Sequence, residues 1–169
     1  MKTVHVIAAI AILGCGRHTA VSQVESVAPP GNLAGTAHLL LLGTDPAGVI
    51  SARPRIKSVE VRGGGWLLAN AVVTPQLELT ETGQAWTLTD FGIPEGVTEV
   101  QFHVIFDGGS YDLQSESGDL DTTCADIQLT GQVARILERG HAVIQLDIEG
   151  SLAPAAGGMK LVPQVVLQY

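Results

Sequence analysis

The stretch between residues 112 and 126 carries the densest group of carboxylates in the chain. Calcium binds six to eight hard oxygen ligands, and an acidic loop bent at Gly118 supplies such oxygens from carboxylates, hydroxyls and carbonyls. Because the spacing does not match an EF-hand, a solvated acidic loop is the alternative interpretation. The calcium hypothesis has four candidate ligands, Asp112, Glu116, Asp119 and Asp121.

Three histidines lie on or beside predicted strands, namely His38, His103 and His141. Three imidazoles brought together on one sheet could ligate zinc. No His-x-His spacing forces them together, however. The alternative is that each is a polar-face or capping residue.

The two cysteines, Cys15 and Cys124, have different expected roles. The charges nearest to Cys124 are Asp121 and Asp126, and neighbouring anions raise the pKa of a thiol. We therefore expect Cys124 to be a small buried hydrophobe rather than a reactive group. If Cys15 is modified, no internal disulfide can form.

Sequence motifs of catalysis are absent. The chain has no Gly-x-Ser-x-Gly elbow, no His-Glu-x-x-His and no Walker loop. The glycines at residues 63–65 lack the lysine and the helix of a phosphate site, which favours a hairpin connection. Trp66, Trp86 and Tyr111 could form a sugar-stacking platform, with core anchoring as the alternative. We expect no enzymatic activity and no cofactor apart from the hypothesised calcium.

The first 15 residues have the organisation of an export signal. A short, weakly basic start is followed by an apolar run at residues 6–13, which is too short to span a bilayer. Ile-Leu-Gly-Cys at residues 12–15 resembles the lipobox of bacterial lipoproteins. The resemblance implies cleavage after Gly14 and lipid on Cys15, and Gly16 in the next position implies the outer membrane. A core segment with a chance cysteine is the alternative.

Composition and charge narrow the class of protein. The 169 residues suit one domain. With 9 Lys and Arg against 17 Asp and Glu, the net charge of -8 lacks the basic footprint of a nucleic-acid binder. No uninterrupted apolar run reaches the length of a spanning helix. We predict a signal peptide over residues 1–14, a lipidated Cys15 with a flexible tether over residues 15–34, and one domain over residues 35–169.

Within that domain the apolar residues recur mainly with the period of two that is typical of strands. The runs are short and are separated by turns rich in Gly, Pro and Asp, which favours an all-β fold. The predicted strands and apolar runs cover residues 36–42, 55–62, 66–68, 76–80, 86–88, 99–106, 127–129, 132–137, 141–148 and 159–168. The expected architecture is an antiparallel β-sandwich, immunoglobulin-like or transthyretin-like.

The strand at residues 99–106 alternates most clearly. One predicted face is apolar and the other contains Glu99, Gln101 and His103. We expect residues 107–109 to end this strand, and Pro163 to mark an edge or a bulge in the last one. The apolar face consists of Val100, Phe102, Val104 and Phe106.

The order of these motifs resembles a family of bacterial envelope proteins, domain of unknown function forty-three eighty-two. The matching segments are a Gly, strand and Asp-Pro turn at residues 35–46, Val-x-Val at 59–61, Gly-Trp at 65–66, the step at 93–101, the strand at 144–148 and Leu-x-Pro-x-Val at 161–165. Thr-Asp-Pro at 44–46 departs from the family's more usual Thr-Asp-Ala-Pro. The resemblance implies a lipoprotein β-sandwich without a known activity.

These observations predict a membrane-anchored lipoprotein of the cell envelope whose β domain is a structural or binding module. Its expected partners are the membrane, through the lipid, and an envelope protein or glycan, but no nucleic acid. The alternative is an envelope enzyme, or an accessory domain of one, acting on glycan.

Overall fold

The structure, a computed structural model, describes residues 31–72, 76–81 and 83–169. The predicted signal peptide, Cys15 and the tether through residue 30 lie outside the described residues. The first strand begins at Leu33, two residues before the predicted start of the domain.

Eleven strands and two short helices make up the described residues. In chain order they are β1 (Leu33–Thr44), β2 (Val49–Gly63), β3 (Trp66–Ala71), β4 (Ala85–Pro94), β5 (Glu99–Leu113), β6 (Ser117–Asp121), β7 (Asp126–Gln132), α1 (Val133–Arg139), β8 (His141–Asp147), α2 (Ile148–Ser151), β9 (Leu152–Ala155), β10 (Gly158–Leu161) and β11 (Val165–Gln168).

Two sheets pack face to face around one main hydrophobic core. The small sheet has the order β11-β8-β1-β4; the large sheet has the order β3-β2-β5-β6-β10-β9, with β7 also paired to β5. The pairs β1–β8 and β6–β10 run parallel, and the others run antiparallel. The predicted all-β sandwich is confirmed, and its sheets are mixed.

The core forms because the inward-facing residues of both sheets are apolar. The predicted apolar face of β5 is buried as expected, with Val100 and Val104 fully inaccessible. Phe102 of the large sheet packs edge-on against Phe91 of the small sheet, with ring centroids 5.8 Å apart at 72°. This contact joins the two layers through a geometry that aromatic pairs prefer.

The prediction that residues 107–109 end the strand is wrong, since β5 continues to Leu113. Gly108 and Gly109 have φ angles of 80° and 140°. A Cβ on Gly109 would lie 2.5 Å from the carbonyl oxygen of Arg53, so only glycine lets the two strands approach there. The glycines form an irregularity within the strand instead of a turn.

The predicted strand at residues 132–137 is also wrong, because Val133–Arg139 is the helix α1. Val133 and Ile136 are buried and Leu137 packs against the core, which is the i, i+3, i+4 spacing of a helix face. Gly140 ends the helix in the left-handed conformation, with φ of 73°, and its N–H donates to the carbonyl of Ile136.

The last predicted strand, residues 159–168, is two strands in different sheets. β10 belongs to the large sheet and β11 to the small one. Pro163 lies between them, at a position where it interrupts no ladder, because proline has no N–H to donate. The chain therefore crosses from one sheet to the other at residues 162–164.

The predicted strand at residues 76–80 lies along the start of β2, although it forms no continuous ladder. The N–H groups of Leu77 and Leu79 donate to the carbonyls of Pro54 and Ala52, at 3.3 and 3.0 Å. Both leucine side chains are buried, as the alternation predicts. Glu78 between them points away from the core, and its side chain is 22% exposed.

Candidate functional site

The outer face of the large sheet carries rows of polar side chains. Register places Glu60 of β2 beside His103 of β5, and His103 beside Gln128 of β7. One row further along lie Arg62, Gln101 and Thr130, in the same order of strands. These residues share a face because each strand alternates and its other face is buried in the core.

These rows line an open groove of about 420 Å³. A second section of about 440 Å³ joins it at Arg62 and Gln101 and extends over the glycines of residues 63–65 and over residues 96–99. We call the two sections together the polar groove. Its length comes from the continuity of β2, β5 and β7 with the loop that precedes β5.

Charges in the first section of the polar groove occur in pairs. Arg62 donates from Nη2 and Nε to Glu60 Oε2, at 3.1 and 3.2 Å. His103 Nε2 lies 3.3 Å from Asp126 Oδ2, which also accepts from Gln128 Nε2 at 2.9 Å. All four charged or ionisable side chains of these pairs are partly exposed. This section of the groove therefore has no large excess of either charge. It offers ordered polar groups to a ligand.

The chemistry available in the groove is hydrogen bonding. Amides, a guanidinium, an imidazole, carboxylates and threonine hydroxyls supply both donors and acceptors. No serine or cysteine is among the residues that line either section. An open surface of this kind can hydrogen-bond to a polar ligand.

The four calcium candidates are not brought together. Glu116 lies beside Tyr111, where burial of the ring, the Glu116 charge and a hydrogen bond with it raise the pKa of Tyr111. Hydrogen bonds from the Thr123 side chain and N–H lower the pKa of Asp121. Asp112 and Asp119 lie on neighbouring strands, opposite Ser117 and Ser110.

Within the described residues, no three His, Cys, Asp or Glu side chains are grouped as ligands of a metal ion. The structure therefore does not support the calcium hypothesis. The residues 112–121 belong to two hydrogen-bonded strands and the tight turn between them, so their side chains cannot wrap around one ion as a flexible loop would.

The three histidines fall on two sheets, so the zinc hypothesis has no geometric support either. His38 and His141 are neighbours on β1 and β8, and His38 Nδ1 lies 2.6 Å from Asp90 Oδ1. His103 belongs to the large sheet. The alternative interpretation, polar-face residues, describes all three.

The expectation of a buried Cys124 is wrong, because its side chain is exposed. Cys124 lies in the turn between β6 and β7 with φ of 65°. The turn is closed by a hydrogen bond from Ala125 N–H to the Thr122 carbonyl, and it is Ala125 that enters the core.

The sugar-stacking platform is not formed by the three aromatic residues. Trp86 packs against the core and donates from Nε1 to the Glu78 carbonyl at 2.9 Å. Tyr111 is 4% exposed, in a second small cluster with Leu120 and Met159. Core anchoring, the alternative interpretation, describes these two residues.

Comparisons with protein-family models, with curated proteins and with solved structures found no match to this chain. The resemblance in motif order to the envelope family stays a prediction. No helix within the described ranges is long and apolar enough to cross a membrane.

The polar groove was only partly visible in the sequence. Alternation in β5 placed Glu99, Gln101 and His103 on one face. Glu60 and Thr130 were missed as their neighbours, because register between distant segments is not encoded in local periodicity. The available sequence signal for Glu60 was that the predicted strand at residues 55–62 has charged residues near both ends.

Proposed function

We propose that this chain is a lipid-anchored binding module of the bacterial cell envelope, and that its polar groove binds a glycan strand. The observation that carries the proposal is the groove itself, an extended open surface whose first section presents hydrogen-bonding side chains from β2, β5 and β7. Sites built on strands hold their polar groups in fixed positions, which lowers the entropic cost of binding.

A neutral polyhydroxylated ligand suits the polar groove better than a charged polymer does. Sugar hydroxyls donate and accept, as do the amide groups of Gln101 and Gln128. Arg62 is already paired with Glu60, so the groove lacks the unpaired cations that an anionic chain would require. The two contiguous sections provide the length that several sugar units need.

The signal and lipobox at residues 1–15 support the location. Lipid at Cys15 would hold the domain at a membrane, within reach of envelope glycan. At about 0.8 kcal/mol per buried CH₂, several acyl chains form a durable anchor where one does not.

The glycan proposal is tested with the full chain carrying Cys15→Ala, so that the protein stays in solution. The chain is mixed with purified peptidoglycan sacculi and the bound fraction is measured by co-sedimentation. We expect saturable binding, and we expect Gln101→Ala to weaken it about 5- to 10-fold by removing a hydrogen-bonding group.

Gln114→Ala is the matched control, because Gln114 is an exposed amide outside both sections of the groove. Its binding should equal that of the parent chain. Absence of saturable binding by the parent chain, or equal losses in the two variants, would contradict the proposal.

The alternative, an enzyme acting on glycan, rests on the His103–Asp126 pair in and beside the groove. An imidazole held by a carboxylate is the arrangement of a general base. The same incubation distinguishes the two functions, since an enzyme releases soluble fragments from the sacculi over time. Release that is lost in His103→Asn would favour the enzyme.

A further inference from the structure

The outer face of the small sheet differs from that of the large sheet in having no charged residue in its centre. Two adjacent rows cross the four strands there. We call their eight residues the uncharged face: Gln168, Val143, Leu40 and Thr87 in one row, and Val166, Gln145, Leu42 and Ala85 in the other.

Besides Ala85, four members of the uncharged face carry larger aliphatic side chains in a position where strands of a solvated sheet carry polar residues. Leu40, Leu42 and Val143 are half-buried, and Val166 is 41% exposed. Within the described residues none of the four belongs to the hydrophobic core. Their apolar surface is therefore not used by the hydrophobic core of the described residues.

Charged or ionisable side chains occupy the rows at the two ends of the uncharged face. At one end a row contains His141, His38 and Asp90, on β8, β1 and β4. At the other end lies Asp147, opposite Thr44. No lysine or arginine is present in these four rows, which disfavours contact with anionic lipid or nucleic acid.

We propose that the uncharged face binds a second copy of this chain, with a two-fold axis parallel to β1. A two-fold interface places the same patch of both copies in contact. At a net charge of -8, two copies repel one another over most of their surface. The uncharged face is where that repulsion is smallest and where apolar area is left to bury.

Two-fold axes along and across the strands both place aspartate over histidine, as the association of two copies requires, and the position of the amino-terminal ends distinguishes them. Rotation about β1 places β8 of one copy over β4 of the other, so His141 lies over the partner's Asp90, and the pair occurs twice. Rotation about an axis across the strands would place His141 over the partner's Asp147 instead, but it would separate the two amino-terminal ends. With the axis along β1, both Leu33 residues lie at the same end, which suits two chains held by lipid on one membrane; this choice of axis rests on the lipid anchor of the proposed function.

Cysteine cross-linking tests the proposed geometry. The full chain carries Cys15→Ala and Cys124→Ser, and receives Thr87→Cys with Val143→Cys. In one chain these two positions flank β1, at twice the strand spacing of about 4.8 Å, which is beyond the roughly 7 Å limit for a disulfide. In the dimer, Val143 lies over the partner's Thr87. We expect oxidation to yield a covalent dimer.

The matched control introduces Glu60→Cys with Gln128→Cys, which flank β5 at the same two-strand spacing on the outer face of the large sheet. It should remain monomeric after oxidation. A dimer formed equally by both pairs would reflect random collision and would overturn the proposal.

Sedimentation of the Cys15→Ala chain over a range of concentrations measures the association directly. Thr87→Lys places a cation against the partner's apolar surface and should raise the dimer Kd by at least about tenfold. Asn70→Lys adds the same charge on the large sheet and should leave the Kd unchanged. A monomer at every concentration, or a dimer indifferent to Thr87→Lys, overturns the proposal.

The same chain is also sedimented with vesicles of phosphatidylcholine. A monomer that binds these vesicles and loses binding in Thr87→Lys would assign the uncharged face to lipid, and so would also overturn the dimer. None of these measurements involves glycan, so failure of the dimer leaves the proposed function of the polar groove separately testable.

Discussion

The Glu78 carboxylate joins the segment at residues 76–80 to the start of β2 through hydrogen bonds. Its two oxygens accept hydrogen bonds from the side chains of Ser51, Arg53 and Thr80 and from the N–H groups of Ala52 and Thr80. Burial alone would raise its pKa, but these hydrogen bonds outweigh burial and lower the pKa to about 2. The negative charge is thus stabilised by the folded state.

Stability should consequently depend on the protonation of Glu78. Because its folded pKa lies below the ordinary value of 4.5, its contribution is present above pH 4.5 and is lost as pH falls toward 2. The shift corresponds to about 3 kcal/mol of unfolding free energy. Glu78→Gln should remove this part of the acid dependence, measured by urea unfolding between pH 2 and 6.

Glu81→Gln is the control, since Glu81 is exposed on the same segment. Its unfolding curves should retain the acid dependence of the parent chain. An unchanged acid dependence in Glu78→Gln would mean that the hydrogen bonds around Glu78 do not favour its charged form.

At the scale of the element, β5 shows how far the sequence predicts the fold. Its alternation alone predicted the buried face and the polar face, including Gln101 and His103 of the groove. The parallel pairing of β1 with β8 was not predictable, because it joins His38 to His141 across most of the domain. The groove residues Glu60 and Thr130 on the neighbouring strands were not predictable for the same reason.

The alternation of β5 makes a prediction about neighbouring positions. Phe102→Ala should lower the unfolding free energy by about 3–5 kcal/mol, the range for emptying a core aromatic site. Gln101→Ala on the opposite face should change it little. Urea unfolding of both variants measures the difference, and equal effects would mean that the two faces are assigned wrongly.

The helix α1 was missed although its signals were present. Val133, Ile136 and Leu137 have helical spacing, and Gly140 is a frequent residue at a helix end. The run is so short that it also fits a strand, and tertiary packing decided between the two. The glycine was the more informative signal.

Gly140→Ala should therefore destabilise the domain by about 1–2 kcal/mol, because alanine adopts positive φ at that cost. A Cβ at Gly140 meets no atom within 4 Å, so the effect would be conformational and not steric. Gly157→Ala, also in open space but without a positive φ, is the control and should be close to neutral. Thermal unfolding compares the two, and equal losses would contradict the assignment of α1's end.

At the scale of the whole molecule, the sandwich presents two outer faces of different chemistry. One carries the polar groove and the other is uncharged at its centre, so a glycan and a second copy could bind at once. The amino-terminal end of β1 is where the predicted tether joins. The predicted anchor, the polar groove and the uncharged face thus involve separate parts of one chain.

This separation predicts the outcome of removing the anchor. Cys15→Ala should abolish association with membranes after export while the domain keeps its melting temperature, because Cys15 precedes the first described strand by eighteen residues. Membrane fractionation and thermal unfolding measure the two results. A variant that still fractionates with membranes would contradict the lipoprotein prediction.

The parallel pairing of β1 with β8 also has a consequence for the order of events in the cell. In a chain that crosses a membrane amino end first, β1 would emerge early, yet both of its neighbours, β4 and β8, follow much later. Contacts between segments so distant in the sequence form slowly, because a long loop must close first. The small sheet of such a chain therefore cannot be completed until nearly the entire chain has crossed.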